Sequence, residues 1–441
     1  MNIIEGADQG RRMLLRRRPL TTVELPEAVR RRTREVFGAE LSVEDTVRRI
    51  IADVRERGDE ALRHYTRVLD GADIDRIEVG RDEIQAAYDH VDSALVDALR
   101  VAAERVRAFH EAQREHAARS FSLDGVGSVV RPVDRAGVYV PSQRGAVYPS
   151  SVIHTVAPAR AAGVPEVVLC TPCEPDGRVA PVKLVAADLA GADRVFRLGG
   201  AQAIAAMAYG TESVPRVDIV CGPGNIFVTV AKKEVFGDVG IDALYGPSET
   251  IVIADESADP RLCAADLIAQ AEHDELASPI LITTSRTLAE RVAAEVEAQL
   301  ADLPRGAVAR ASFEARGGAV VVASIDEAIA LANEYAPEHL CLLTRDSRQR
   351  VSQVRNAGAV FVGEASPESL GDYTAGPSHT MPTVGTARFA SPLGVHHFLK
   401  AMSVVEVGRD VLERLGRPAA IIARFEGFAG HARSIEYRIE P

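Results

Sequence analysis

The sequence predicts an α/β protein with two parallel-sheet domains, a helical N-terminal segment and a small C-terminal tail. Three observations carry that expectation. Apolar strands such as "VPEVVLC", "RVFRLGG" and "VDIVCGPGN" alternate with helical stretches of about 10–15 residues, the pattern of βαβ units on a parallel sheet. A second series of the same kind runs from "TIVIAD" to "AVFVG". The chain has 441 residues, more than one hydrophobic core usually holds.

Each element follows in order. The N-terminus "MNIIEGADQGRRMLLRRRPL" has Arg clusters with no apolar signal core behind them and reads as a polar arm. Residues 42–119 read as helical. Ser42 and Asp45 have capping-box spacing, and Val43, Val47, Ile50, Ile51 and Val54 recur at helical intervals. Next come the strand "GVYVP", the helix "SSVIHTVAPARAAG", the strand "VPEVVLC", the helix "PVKLVAADLAGA", the strand "RVFRLGG" and the helix "AQAIAAMAYG". The second series adds "DLIAQAEHDE" as a helix, "PILITT" as a strand, a helix over 286–302, "AVVVAS", "IDEAIALANEYA", "HLCLLT", a helix over 347–357 and "AVFVG". Residues 365–397 are rich in Gly, Pro, Ser and His. The tail "FEGFAGHARSIEYRIE" is helical and strand-like, and too small to bury a core of its own. It must pack on another domain or another subunit.

Composition narrows the function. Apolar residues are 46% and charged residues 26%, ordinary for a soluble globular protein. The net charge of −12 and an aromatic content of 5% with no Trp argue against a nucleic-acid binder. Five sparse Cys suggest a reducing compartment, hence the cytoplasm, and no apolar run is long enough to span a membrane.

Several local features carry chemistry. "GGAQAI" (199–204) and "GPGNIF" (222–227) each follow a strand and open a helix, where glycines let the backbone approach a ligand. Neither is a full dinucleotide fingerprint, and tight turns explain them equally. "CTPC" (170–173) has redox spacing, but a loop follows it instead of a helix. Gln270 and His273 sit three apart near a helix end, so on a helix they share a face. Glu338 and His339 in "APEHL" suit proton transfer, or a helix C-terminus. Asp372 and His379 lie in the long irregular "SLGDYTAGPSHTMPT", as a carboxylate ligand or as turn residues. His431, with Glu426 five residues before it, lies in the tail. Such a scattered Gln, His, Asp and Glu set suits one zinc ion, although no single motif requires it.

The motifs "YVPSQRGAVYPSSV", "GGAQAIAAMAYGTESVP", "GPGNIFVTVAKK", "GPSETIVIAD", "DLIAQAEHDE", "NEYAPEHL", "GDYTAGPSHTMPT" and "EGFAGH" occur in the order found in histidinol dehydrogenases, and the chain resembles that family from about residue 30 onward. The resemblance implies two Rossmann-like, incompletely doubly wound domains in a homodimer that exchanges its tails. It divides the chain into an arm (1–30), a first α/β domain (31–138 with 250–393), an NAD-side domain (139–249) and a tail (394–441). It implies oxidation of L-histidinol through L-histidinal to L-histidine, with two NAD+ and one zinc per subunit.

The resemblance also assigns residues. Gln270, His273, Asp372 and His431 match zinc ligands, the last supplied by the partner subunit. His339 matches the general base and Glu338 the residue that activates water. Ser248, Gln270, His273, Glu338, His339, Asp372, His379, Glu426 and His431 match substrate-binding positions, and Tyr139, Gln202 and Asn225 match NAD contacts. The sequence departs from the family pattern at Ser142-Gln143, His154 and Tyr245, all near the expected mouth of the site. A paralogue that oxidises another polar alcohol, and a non-catalytic binding protein on the same scaffold, are the alternatives.

Overall fold

Ser42 caps the helix Val43–Arg57 as its spacing requires: its hydroxyl oxygen accepts from the Asp45 N–H at 3.0 Å. The computed structural model describes residues 1–17, 27–117, 119–143 and 146–439. Its apolar stripes assemble on two all-parallel sheets. One sheet has six strands in the order Ile3–Glu5, Gly318–Val321, Ser278–Thr283, Glu249–Ala254, His339–Leu343 and Ala359–Val362. The other has five, in the order Gly240–Ile241, Ile219–Cys221, Arg135–Tyr139, Glu166–Thr171 and Arg194–Arg197. Helices cover both faces of each sheet, so the central strands are buried throughout. Ile251, Ile253, Ile280, Ile282, Leu340 and Leu342 are each wholly buried, worth about 1.5–3 kcal/mol apiece.

Several expectations change. The first residues are not a free polar arm: Ile3–Glu5 pairs with Gly318–Val321 as the sheet's edge strand, and Ala7–Met13 is a helix. A three-residue strand has too short a pattern to announce itself, and its partner lies more than 300 residues away. Residues 18–26 of the expected arm lie outside the described residues, and Glu27–Phe37 is a helix. The helices over 43–116 share a core with the five-stranded sheet, and of segment 250–393 only Leu393 is among the buried residues of that core. Their buried stripe, including Val47, Ile50 and Leu62, packs with Ile153, Ile204 and Val228. The helix expected over 347–357 is short, Ser347–Arg350 with a tighter turn to Gln353, and a helix Gly306–Arg316 was not anticipated. Among the described residues the tail contains no terminal strand. Leu399–Val405 pairs antiparallel with Val126–Pro132, and then Arg409–Phe425 and Ala429–Ile439 form a helical hairpin.

The two sheets meet by opposite edges. Residues 242–248 leave the carboxyl edge of the five-stranded sheet after Ile241 and enter the amino edge of the six-stranded sheet at Glu249. Asp242 anchors this crossing. Its side chain is 0% exposed and accepts from the Lys232 ammonium, itself 1% exposed, from the Gly222 N–H at 2.7 Å and from the Tyr245 hydroxyl at 2.9 Å. Gly222 is required there. Its φ is +113°, and an added Cβ would stand 2.1 Å from the Tyr139 carbonyl oxygen.

Replacing Asp242 with Asn leaves the Lys232 ammonium buried without its counter-charge. Asp242→Asn should lower unfolding free energy by about 3–5 kcal/mol, read from the urea midpoint. A midpoint within experimental error of wild type would refute the role given to this pair.

Candidate active site

The amino edge of the six-stranded sheet gathers most of the residues singled out above. His339 is the first residue of its strand, paired in register with Thr250 and Ala359. Ala336, in a left-handed conformation at φ +54°, ends the preceding helix and turns the chain into that strand. The helix Pro260–Ala271 stops one turn before its expected end. Gln270 is in its last turn, while His273 lies just beyond it, with its N–H donating to the Gln270 carbonyl at 3.2 Å. Asp372 comes from the short helix Glu368–Tyr373, and His379 from the irregular segment after it.

These side chains converge. Gln270 Nε2 lies 3.4 Å from both His339 Nε2 and Asp372 Oδ2. His339 Nε2 is 3.6 Å from Asp372 Oδ1, and its Nδ1 is 3.8 Å from Glu338 Oε2. Ser248 Oγ is 3.4 Å from His273 Nδ1. The Glu249 N–H donates to Glu338 Oε2 at 3.0 Å. Gln270 is wholly buried, and its Oε1 has no partner among the described residues. A buried carbonyl left without a donor costs about 1–3 kcal/mol, which marks it as a position awaiting a ligand.

The electrostatics are those of a tight buried cluster. Burial works against a charged His339, but Glu338 and Asp372 outweigh it and push the imidazole up to about 10. Burial raises Glu338 to about 8, partly offset by His339. Asp372 stays below the usual carboxylate range: burial opposes this, and the imidazoles of His339, His379 and His273 overcome it. Burial lowers His273 and His379.

The structure also shows what sequence reasoning missed. His154, which stood out in the sequence only as a departure from the family pattern, stacks on His379 with ring centroids 4.2 Å apart. The His379 N–H donates to His154 Nδ1 at 3.1 Å, so the proton of His154 is on Nε2, donating to the Tyr373 carbonyl at 3.2 Å. His379 Nδ1 donates to the Asp372 carbonyl at 2.8 Å, and its Nε2 accepts from the Ser151 hydroxyl at 3.1 Å. Ser151 and His154 belong to the helix Pro149–Ala162 at the carboxyl edge of the other sheet, so this stack joins the two units. Glu368, wholly buried beneath the site, accepts from the Thr250 hydroxyl at 2.8 Å. No local spacing signals it.

The other expected residues lie elsewhere. Tyr139, Gln202 and Asn225 sit at the carboxyl edge of the five-stranded sheet. The Tyr139 hydroxyl oxygen accepts from the Gly200 N–H at 3.0 Å, and Asn225 caps the helix Ile226–Val235. Glu426 and His431 are exposed on the tail hairpin, where the ring beside His431 is that of Phe428. Among the described residues no three His, Cys, Asp or Glu side chains gather as a metal cluster. The "CTPC" thiols are free and buried, and burial raises Cys173 to about 11, which removes the thiolate that redox chemistry needs.

Histidinol dehydrogenase is the family whose pattern matches this chain, over residues 33–439. The chain belongs to the histidinol dehydrogenase family. Histidinol dehydrogenase of Deinococcus radiodurans is 51% identical over 445 residues, covering 100% of both chains. That of Geobacter sulfurreducens is 52% identical over 403 residues, covering 90% of this chain and 94% of the relative. The crystal structure of histidinol dehydrogenase from Elizabethkingia anophelis superposes with a TM-score of 0.90 at 33% identity, covering 100% of this chain and 98% of that one. The chain is an oxidoreductase of this family, with the family's α/β architecture.

Glu368 generates a pH prediction. Burial raises its carboxyl from 4.5 to about 8, so the folded protein holds this proton more tightly than the unfolded chain. Its contribution is complete below pH 4.5 and is lost as pH rises through about 8. Glu368→Gln stays neutral throughout, so its stability should fall less than that of wild type between those limits. Urea midpoints at the two pH values test this, and parallel losses would contradict it.

Proposed function

We propose that the protein is a zinc-dependent, NAD+-reducing dehydrogenase that converts L-histidinol through L-histidinal to L-histidine, acting as a cytoplasmic homodimer. The observation that carries this reading is the convergence of His339 and Asp372 on the amide of wholly buried Gln270, whose Oε1 has no partner among the described residues.

The donor set fits zinc. Gln270 Oε1, the His273 imidazole and the Asp372 carboxylate are oxygen and nitrogen donors of the kind zinc accepts. They are only three from one chain, and one is Gln, which accounts for the lack of a His, Cys, Asp and Glu cluster. His431 of the partner subunit would be the fourth. The tail supports that assignment: Phe425 is 93% exposed and Ile421 69%, an apolar face suited to burial against another chain. Tyr139, Gln202 and Asn225 would hold NAD+. Bound zinc supplies a Lewis-acidic anchor for the substrate's amine and imidazole, and bound NAD+ the hydride acceptor.

The chain's own residues do the rest. His339 takes the hydroxyl proton as each carbon–hydrogen bond gives up its hydride. Asp372 would help hold the metal, and its carboxylate beside His339 Nε2 orients the imidazole. Glu338 accepts a proton from the water that hydrates the aldehyde, and its raised affinity for protons suits that task. Ser248, His379 and the partner's tail, with Glu426, would orient the substrate. Burial of His339 and Glu338 excludes competing water from the pair. The His154–His379 stack, at a position that departs from the family pattern, keeps open a different polar alcohol as substrate.

Protein supplied with L-histidinol, NAD+ and zinc should yield two NADH per histidine. An absence of NADH would end this reading, and turnover only with other alcohols would favour the paralogue. His339→Asn should lower kcat by about 10²–10⁴-fold while bound zinc, measured by metal analysis, is retained.

The shared site has its own test. Neither His339→Asn nor His431→Ala should be active alone. Unfolding and refolding them together should restore about a quarter of wild-type activity, because half the dimers then hold one intact site. Failure to complement would show that each chain completes its own site.

A further inference from the structure

Asp70 ends the helical turn Thr66–Asp70, beside the strand-end glycines of the five-stranded sheet. Both its carboxylate oxygens lie 3.1 Å from where a Cβ on Gly199 would stand. The carboxylate therefore rests against the backbone that opens the helix Gly200–Tyr209. Its one hydrogen bond among the described residues is a long contact from Gln202 Nε2, at 3.5 Å. No Lys or Arg among the described residues pairs with it, and burial alone lifts its carboxyl to about 7. Gln202 is wholly buried, and its Oε1 has no partner among the described residues. Tyr139, whose hydroxyl oxygen already accepts from Gly200, lines the same place.

Two acceptors with spare lone pairs thus stand together where the chain has withheld donors. A half-buried carboxylate without a cation is costly unless a ligand supplies those donors. The vicinal hydroxyls of a ribose are donors of the right number and spacing, and a carboxylate beside a glycine-rich strand end is how parallel sheets read them. We propose that Asp70, with Gln202 Oε1, binds the hydroxyls of the adenosine ribose and so selects NAD+ over NADP+. A 2′-phosphate there would set a second negative group against Asp70, with no basic side chain among the described residues paired with that carboxylate to receive it. The inference rests on the NAD+-dependent reading above.

The test is direct titration of the full-length protein with NADH and NADPH, followed by nicotinamide fluorescence without substrate. Wild type should bind NADH about 10–100-fold more tightly than NADPH, the range expected for hydrogen bonds to a charged group. Asp70→Asn and Asp70→Ser should weaken NADH about tenfold or more, and leave NADPH unchanged or tighter. Equal loss for both dinucleotides, or discrimination kept in both variants, would overturn the assignment. Should the variants fail to fold, wild type alone decides: AMP should displace NADH about tenfold better than 2′-deoxy-AMP, and equal displacement overturns the proposal. If wild type binds NADH but discriminates nothing, only this inference falls. If it binds neither dinucleotide, the NAD+-dependent reading falls with it.

Discussion

Asp242 is the constraint on which the junction of the two sheets depends. It is buried, and everything around it donates: the Lys232 ammonium, the Tyr245 hydroxyl, and the backbone of Gly222 and Ala243. From that fixed point a relay of hydrogen bonds runs into the site. The Tyr245 carbonyl accepts from the Thr229 hydroxyl at 3.0 Å, and the Gly246 N–H donates to the Thr383 hydroxyl at 2.7 Å. Three residues on, the Glu249 N–H holds Glu338 beside His339. Side-chain positions at one sheet's amino edge are thus set by a carboxylate at the other sheet's carboxyl edge.

The site itself is the least comfortable part of the fold. Glu249, Glu338 and Glu368 are all buried, and burial raises all three. Arg17 pairs with Glu249, but Glu368 Oε1 and Gln270 Oε1 have no partner. Strain of this kind persists only where surrounding packing outweighs it. Here the central strands, buried on both faces, provide that surplus. The reactive groups stand at the ends of the most deeply packed elements, which limits how far they can move.

Much of this was legible in the sequence, for identifiable reasons. The parallel strands announced themselves because burial on both faces makes them short apolar runs, and Ser42 announced its helix through spacing alone. Gln270 and His273 were visible as an odd polar pair at a strand's entrance, though not that the helix would stop between them. The register that brings Asp372 to Gln270, about a hundred residues apart, came only through ordered resemblance. The contacts of His154 and Glu368 were not legible because their partners, His379 and Thr250, are remote in sequence, and His154 stood out only as a departure from the family pattern. The edge strand Ile3–Glu5 failed for the same reason, compounded by its length.

The opposed sheet edges have an electrostatic consequence. At an amino edge the neighbouring helices end, as Pro260–Ala271 and Ile325–Tyr335 do here. At a carboxyl edge they begin, as Gly200–Tyr209 and Ile226–Val235 do. Helix ends carry partial charges of about −0.5 and +0.5. Setting one edge against the other therefore gives the space between them a standing field, negative toward Gln270 and His339 and positive toward Gly200 and Asn225. A ligand with a cationic end and an anionic end would be drawn into that space already oriented, before any side chain touched it.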